Sequence, residues 1–361
     1  LCIRFIVCHL KLSESLKSEN NVYFHIEDLV EWSKKVISKG HVEYTTNKEG
    51  EVISYVAYYK NKESYFITMV WTHSDYRGKG LSKKIIKDIV DSTELPIDLE
   101  VHKDNPAYNL YRLLKFEAID FRDDQIIMRR SKKLAIMQPY IFPYVGYFSL
   151  INSSDKILFY DDVNFIKRGW IHRQRILING KDHLFTIPLN KPSQNKKINQ
   201  IEISKSGDRE KVIKSIECAY KKAPYFKEVF PMIKKVILGN YTYIDEMAIS
   251  SLIEVCKYLN LEIKHNRTSL ADPNSQGQEK CERLASITKA LGFSNYVNVI
   301  NDMYDKETFK SKNVNLFFND HRIKPYNQFG KSFVSHLSII DVLMFNSIRD
   351  TKKLILSYHI I

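Results

Sequence analysis

Apolar positions along this chain follow two rhythms, and the changes between them mark its elements. Residues 41–46, 52–59 and 65–72 run apolar or alternate over strand lengths, with turn residues at 47–50, and read as an antiparallel meander. Ahead of them, residues 2–7 read as a first strand. Residues 21–39 read as a helix, with Ile26, Leu29, Val30 and Trp32 among charged neighbours and Gly40 as its C-cap. After Gly80, Leu81, Ile85 and Ile89 recur at a spacing of four, while Ser82, Lys83, Lys84 and Lys87 fill much of the remainder. That pattern predicts a helix with one buried face. Residues 96–101 read as a strand, and Asp104 and Asn105 cap a helix with Pro106 in its first turn. Ala107, Leu110, Tyr111 and Leu114 lie along that helix, and residues 116–119 and 125–128 close the sheet.

The second half starts with a strand at 134–137, which runs into a loop at 138–148 shaped by two prolines and a glycine and dense in tyrosine and phenylalanine. Residues 155–160 read as a strand followed by Asp161-Asp162. Residues 176–178 and 183–188 flank Asn179-Gly180 as a hairpin. The rest reads as largely helical, with apolar spacing at 208–221, 225–236, 243–259, 278–291 and 335–347. The fold class expected is α/β (α+β): a mixed twisted sheet with flanking helices, then a second α/β domain rich in helices.

Length and charge add a boundary. A chain of 361 residues suggests two domains, or three. Residues 1–130 hold 20 Lys+Arg against 20 Asp+Glu, so the whole formal excess of +13 falls in 131–361. No run approaches about 18 apolar residues, so no membrane span is expected. Residues 1–8 are too short for a signal sequence, and without an initiator Met the first residues are expected to be incomplete. Cys2, Cys8, Cys218, Cys256 and Cys281 form no CxxC pair and read as buried small hydrophobes in a reducing, cytoplasmic setting. No metal is expected: the chain lacks HExxH and any collected zinc site, as well as a Walker loop and a serine elbow. The basic half lacks the regular features of a nucleic-acid module, so no nucleic-acid partner is expected. Its charge reads either as attraction for an anionic small molecule or as plain solubility charge.

The chemistry begins at Arg77-Gly78-Lys79-Gly80. Two glycines let the chain turn tightly, and the following helix start leaves backbone N–H groups free, an arrangement that holds a phosphate or pyrophosphate. The stretch VWTHSDYRGKGLS resembles the acyl-CoA signature of the GNAT acyltransferases, with Arg77 and Gly80 at fixed positions and Ser82 where a glycine or alanine is usual. DNPAYNLYRLLKF resembles a second segment of that family through Leu110, Tyr111, Leu114 and Phe116, with Lys115 replacing its glycine. The resemblance covers about residues 1–128 and implies a 1–130 GNAT-like domain that takes acyl-CoA as co-substrate. It implies that Val70, Trp71, Arg77, Gly78, Lys79, Gly80, Leu81, Ser82 and Asn105 bind CoA, and that Tyr111 protonates the leaving thiolate. Tyr111 reads equally as an aromatic filling the helix–sheet core. For the base that deprotonates the acceptor amine, His73, Glu100 and His102 are candidates; each reads equally as a solvated strand end, and a base from the second half is also open.

MQPYIFPYVGYFSLI and YDDVNFIKRGWIHRQRI resemble the WbqC-like proteins associated with O-antigen, lipopolysaccharide and related polysaccharide biosynthesis, as do TSL, KCERLASITKALGFSNY and the segment from Gln328 to Asn346. His172 departs from the asparagine common before Arg173. The positive and aromatic groups in these segments suit a phosphate plus a flat ring. Gln138, Tyr140, Tyr144, Lys167, Arg168, Trp170, His172 and Arg173 are the expected substrate contacts, against readings as a packed Pro/aromatic turn and a solvated basic loop. Together the halves suggest N-acylation of a nucleotide-linked amino-deoxyhexose, preferably dTDP-linked, by residues 131–361 as the acceptor-binding WbqC-like domain. The acyl group is acetyl or hydroxyacyl, and a homodimer is left open. Acylation of a peptide, protein or amino-acid amine is the alternative. A non-enzymatic assembly protein with a degenerate GNAT fold is the second alternative.

Overall fold

The computed structural model describes residues 29–361 except Asp302 and Lys331. The strand expected at 2–7, Ile26, Cys2 and Cys8 lie outside the described residues. Two compact units divide the chain, Leu1–Lys132 and Lys133–Ile361, and each has its own six-stranded sheet.

In the first unit, helix α1 (Leu29–Lys39) stops at Gly40, whose N–H donates to the Val36 carbonyl at 2.7 Å. A Cβ at Gly40 would come within 2.8 Å of that oxygen, so the helix end needs glycine there. Strands β1 (His41–Thr46), β2 (Val52–Lys60) and β3 (Tyr65–Thr72) form an antiparallel meander. There follow α2 (Leu81–Asp91), β4 (Ile97–His102), α3 (Ala107–Leu113), β5 (Glu117–Arg122) and β6 (Gln125–Arg130). The sheet order is β1-β2-β3-β4-β6-β5, with β3/β4 as its parallel pair. One face carries α2 and α3, where Val56, Tyr58, Ile67, Ile97, Leu99 and Val101 pack with Ile85, Ile86, Ile89 and Tyr111. The other carries α1, with Val36 against Tyr55, Ala57 and Met69. Each such aliphatic side chain contributes about 1.5–3 kcal/mol of burial.

The second unit opens with β7 (Leu134–Met137), α4 (Val145–Ser153) and β8 (Lys156–Phe159). A separate hairpin, β9 (Arg173–Ile178) and β10 (Lys181–Thr186), turns at Asn179-Gly180 with φ of 51° and 73°, as a two-residue primed turn requires. Helices α5 (Ser206–Tyr220), α6 (Phe226–Ile237) and α7 (Ile244–Tyr258) lead to β11 (His265–Arg267). Then come α8 (Lys280–Ala290), β12 (Asn295–Val299), α9 (Lys306–Ser311), β13 (Asn315–His321), α10 (Ile339–Phe345), α11 (Ile348–Ile355) and β14 (Tyr358–Ile360). The main sheet runs β11-β8-β7-β12-β13-β14, parallel throughout except for β14. Numbered by appearance within this sheet, that is the order 3-2-1-4-5-6 of a doubly wound fold. Alternation feeds both faces: Leu134 and Ile136 pack with Leu284, Ile287 and Phe309, whereas Ala135 packs with Phe148, Ile213 and Leu252.

This unit corrects several expectations. Strands β11 to β14 and helices α4 and α11 lie where the pattern gave loop or helix. The helix expected at 335–347 is only Ile339–Phe345, because Ser338 caps it by accepting from Ile340 N–H at 3.2 Å. Cys218 is exposed rather than buried, while Cys256 is buried.

Candidate active site

The parallel strands of the first sheet separate partway along. β3 and β4 pair at Tyr65–Ile97, Phe66–Asp98 and Ile67–Leu99 and no further. At that point β3 also bulges: Ile67 opposes Tyr58 and Met69 opposes Ala57, leaving Thr68 as the extra residue. The bulge switches faces, so Ile67 packs toward α2 whereas Met69 and Trp71 pack toward α1. Beyond it, the facing edges of residues 68–72 and 100–102 have no ladder between them. Backbone groups in such an opening can pair with the amides of an extended ligand. Val70 and Trp71 lie on its β3 edge.

The opening leads into the glycine loop. Gly78 and Gly80 have φ of 76° and 77°, and a Cβ at either would meet nothing within 4 Å. Gly80 is the N-cap of α2 in the left-handed region, with no side-chain cap. The first bond of that helix runs from Lys84 N–H to the Gly80 carbonyl at 3.0 Å, so the N–H groups of Leu81, Ser82 and Lys83 face outward from the helix start. The first turn has no acid, and Lys83 and Lys84 add positive charge where the helix dipole is already positive. An anion would relieve that repulsion. Arg77 Nε donates to the Thr72 carbonyl at 3.2 Å, closing the loop against the end of β3, and Lys79 Nζ lies 4.6 Å from the Tyr76 ring centre. Open space over two positive-φ glycines, unpaired N–H groups and uncompensated positive charge fit a CoA pyrophosphate. When bound, acyl-CoA would supply an activated thioester carbonyl.

Tyr111 sits in α3 on the α2-covered face, only 7% exposed, edge-on to Phe116 at 5.8 Å. Burial pushes its phenol up to about 12, so it keeps its proton at neutral pH. Leu99 and Val101 face the same core as Tyr111, so alternation puts Glu100 and His102 on the opposite face of β4. The two histidines use their Nδ1 lone pairs locally. His73 Nδ1 accepts from Asp75 N–H at 3.3 Å, and His102 Nδ1 accepts from Asp104 N–H at 3.2 Å. Glu100 is exposed, and its carboxylate has no hydrogen-bond partner among the described residues. Asn105 spends its side-chain oxygen on Ala107 N–H at 2.9 Å, capping α3.

In the second unit the expected contacts separate into groups. Gln138 and Tyr140 follow β7 at the carboxyl edge of the sheet, where burial pushes the Tyr140 phenol up to about 12. Tyr144 precedes α4 and packs against His336 at 6.0 Å. Trp170, 41% exposed, lies 5.9 and 5.8 Å from the guanidinium groups of Arg173 and Arg175. The loop 138–144 meets the loop 167–173 where Ile141 N–H donates to the Ile171 carbonyl at 3.0 Å. Lys167 and Arg168 are exposed. Arg173, in contrast, donates to the carbonyls of Gly169 and Arg168 and so braces its own loop. His172 is buried against Phe165, its Nδ1 has no partner, and burial with the Arg173 charge pushes it down to about 4. It is a neutral, buried ring.

Residues 138–353 match the model of the WbqC-like protein family, well over half the chain. The chain belongs to the WbqC-like protein family. Residues 10–116 match the acetyltransferase (GNAT) family. That span includes the opening, the glycine loop and Tyr111, and it makes this WbqC-like chain a CoA-dependent N-acyltransferase. The uncharacterized protein Rv1507c of Mycobacterium tuberculosis is 28% identical over 224 residues, 60% of this chain and 94% of the relative. Among solved structures, an N-acetyltransferase of Thermoplasma acidophilum in complex with coenzyme A is 15% identical, over 29% of this chain and 70% of its own, with a TM-score of 0.26. A putative GNAT acetyltransferase of Bacteroides thetaiotaomicron is 20% identical, over 35% and 82%, with a TM-score of 0.28.

The WbqC-like unit also holds a charged cluster that pattern reading passed over. Asp162 Oδ2 accepts from Arg283 Nη2 at 2.5 Å, and its Oδ1 accepts from Thr268 Oγ1 at 2.7 Å, all three side chains buried. Asp161 Oδ2 accepts from Ser269 Oγ at 2.6 Å. These residues tie the ends of β8 and β11 to α8. The two adjacent aspartates directly after a strand were the available signal; their partners lie more than a hundred residues away.

Proposed function

We propose that the chain transfers an acyl group from acyl-CoA to the amine of a nucleotide-linked amino-deoxyhexose, a cytoplasmic step in surface-polysaccharide biosynthesis. Residues 1–130 hold the donor and residues 131–361 recognise the acceptor. The observation that carries the donor side is the opening between β3 and β4, which ends on an uncapped, acid-free helix start. Support for the acceptor comes from exposed Trp170 flanked by two guanidinium groups beside Lys167 and Arg168. The preference for a dTDP-linked sugar, with an acetyl or hydroxyacyl donor, rests on the resemblance of the second unit to polysaccharide-associated proteins.

Each first-unit residue has one task. The N–H groups of Leu81, Ser82 and Lys83 bind phosphate oxygens, and the β3 edge at Val70 and Trp71 orients the extended arm. Glu100, with its lone pairs unused, takes the proton from the attacking amine. Tyr111 returns a proton to the departing thiolate from the other face of the sheet, so one proton enters and one leaves. A thiol-release assay over several acyl-CoAs and nucleotide amino sugars tests this. Release that depends on both substrates is expected; no release with any pair would overturn it.

A further inference from the structure

In a doubly wound sheet the strand order reverses at one point, and the connections on either side diverge from the carboxyl ends of the two strands that meet there. Here those strands are β7 and β12. They pair at one position, Leu134–Tyr296. Farther along, the Ile136 carbonyl accepts from side chains instead of a β12 N–H: Tyr296 Oη at 3.2 Å and Asn298 Nδ2 at 3.0 Å. Asn298 is fully buried, and its Nδ2 also lies 2.7 Å from Tyr304 Oη. The strands therefore part toward their carboxyl ends, and polar side chains satisfy the backbone exposed by the parting.

The groups around this gap are of two kinds. Gln138 and Tyr140 follow β7, held by Tyr147 Oη donating to the Gln138 carbonyl at 2.8 Å. Tyr160 follows β8, its ring 5.0 Å from the Arg283 guanidinium that Asp162 anchors. Tyr304 follows β12 and lies within electrostatic reach of both Tyr140 and Tyr160. Lys280 Nζ stands 5.4 Å from the Tyr304 ring and 3.8 Å from Met303 Sδ, and no carboxylate pairs with it among the described residues. Ile300, 52% exposed, adds apolar surface on the strand's exit. Three tyrosines, an exposed aliphatic group and an ammonium with no carboxylate partner among the described residues combine flat apolar surface with one site for an anion.

We propose that this crevice between β7 and β12 binds the nucleoside phosphate of the acceptor, with Lys280 on a phosphate and Tyr304 and Ile300 against the flat base. The ligand class rests on the reading of the second unit as the acceptor side; the crevice itself does not. Titration of the full chain with dTDP, by calorimetry, tests it. Lys280→Ala should weaken dTDP binding about tenfold or more, the worth of one charge-assisted contact. Lys280 is exposed, so its replacement leaves the fold intact, and Ile300→Asp, equally exposed, should weaken binding as well. Unchanged affinity in both crevice variants with loss in Arg168→Ala would overturn the crevice and leave the acceptor reading standing. No binding of dTDP, UDP or ADP to the wild type at millimolar concentration would overturn both, and a coenzyme A titration would still report on the donor side alone.

Discussion

The end of α3 offers a test of how this sequence holds Tyr111. Phe116 N–H donates to the Tyr111 carbonyl at 2.9 Å and Lys115 N–H to the Arg112 carbonyl at 3.0 Å, the paired bonds of a Schellman end. That end needs a left-handed residue, and here Lys115 supplies it with φ of 68°. Helices α7, α9 and α8 close the same way with Asn260, Asn313 and Gly292, residue types that enter the left-handed region more readily. An L-residue there costs about 1–2 kcal/mol, and glycine returns about 0.5–1 of that through its freer unfolded chain. Lys115→Gly should therefore stabilise the first unit by about 0.5–1 kcal/mol, a rise of roughly 2–4 °C in that unit's transition. Lys115→Ala is the control, since it removes the same side-chain interactions while keeping the Cβ. The difference between the two variants in a thermal melt of the full chain isolates the backbone strain. Equal melting of the two would refute the account. With the Schellman closure kept and Phe116 still packed on Tyr111, turnover should be unchanged in both.

Four further outcomes follow from the same geometry. Tyr111→Phe should lower kcat about 100-fold or more with coenzyme A affinity retained, and unchanged kcat would remove its acid role. Glu100→Gln should lower kcat/KM about 100-fold, whereas His73→Asn and His102→Asn should cost far less; the reverse ranking would move the base to an imidazole. Gly80→Ala places a Cβ in the open space above α2 at φ 77°, so coenzyme A affinity should fall about tenfold with roughly 1 kcal/mol of stability lost, and full affinity by titration would remove the pyrophosphate from this loop. His172 is held down to about 4 in the fold against an ordinary 6.5, so its contribution is complete above pH 6.5 and drains away as pH falls toward 4, by at most about 3 kcal/mol. His172→Asn should flatten that loss in urea melts of the second unit at pH 7 and pH 5; parallel loss in the variant would show that other groups carry it.

The first unit was legible because its signals are local. Strand alternation in residues 41–72, the glycines at 78 and 80 and the four-residue spacing from Leu81 each specify geometry within a few neighbours. The second unit spreads its signals or hides them. Helix α4 is buried almost all round, so VGYFSLINS shows no amphipathic stripe. Strand β12 reads NYVNV because Asn298 is buried to satisfy the Ile136 carbonyl, a demand set by β7 some 160 positions earlier. Strands β11 and β14 are three residues each and exist only against a neighbouring strand. The site residues divide in the same way. The glycine loop is contiguous, whereas Asp162 finds Arg283 and Thr268 only after folding. Periodicity could place Arg173 and His172 on one segment, but not show that one braces its loop while the other turns inward.

The two sheets use one device with different linings. In each, two parallel strands begin as neighbours and then stop pairing, β3 from β4 after Ile67 and Leu99, and β7 from β12 after the bridge at Leu134 and Tyr296. Parallel ladders lose little when shortened at one end, provided that the released backbone groups find partners. In the first sheet the edge at residues 68–70 has no ladder partner on the β4 side, while the Thr72 carbonyl is taken by Arg77, and such an edge suits a ligand that brings its own amides and needs no side chain to be recognised. In the second sheet Tyr296 and Asn298 already occupy the released Ile136 carbonyl, so backbone pairing is not on offer. On the crevice proposed above, recognition there would pass to Gln138, Tyr140, Tyr304 and Lys280. A backbone-lined gap reads the common arm of every acyl-CoA alike, whereas a side-chain-lined gap can discriminate among bases. Donor tolerance with acceptor selectivity is the consequence: substitutions around Lys280 and Tyr304 should change which nucleotide is accepted, and those around Gly80 should weaken all acyl-CoAs together.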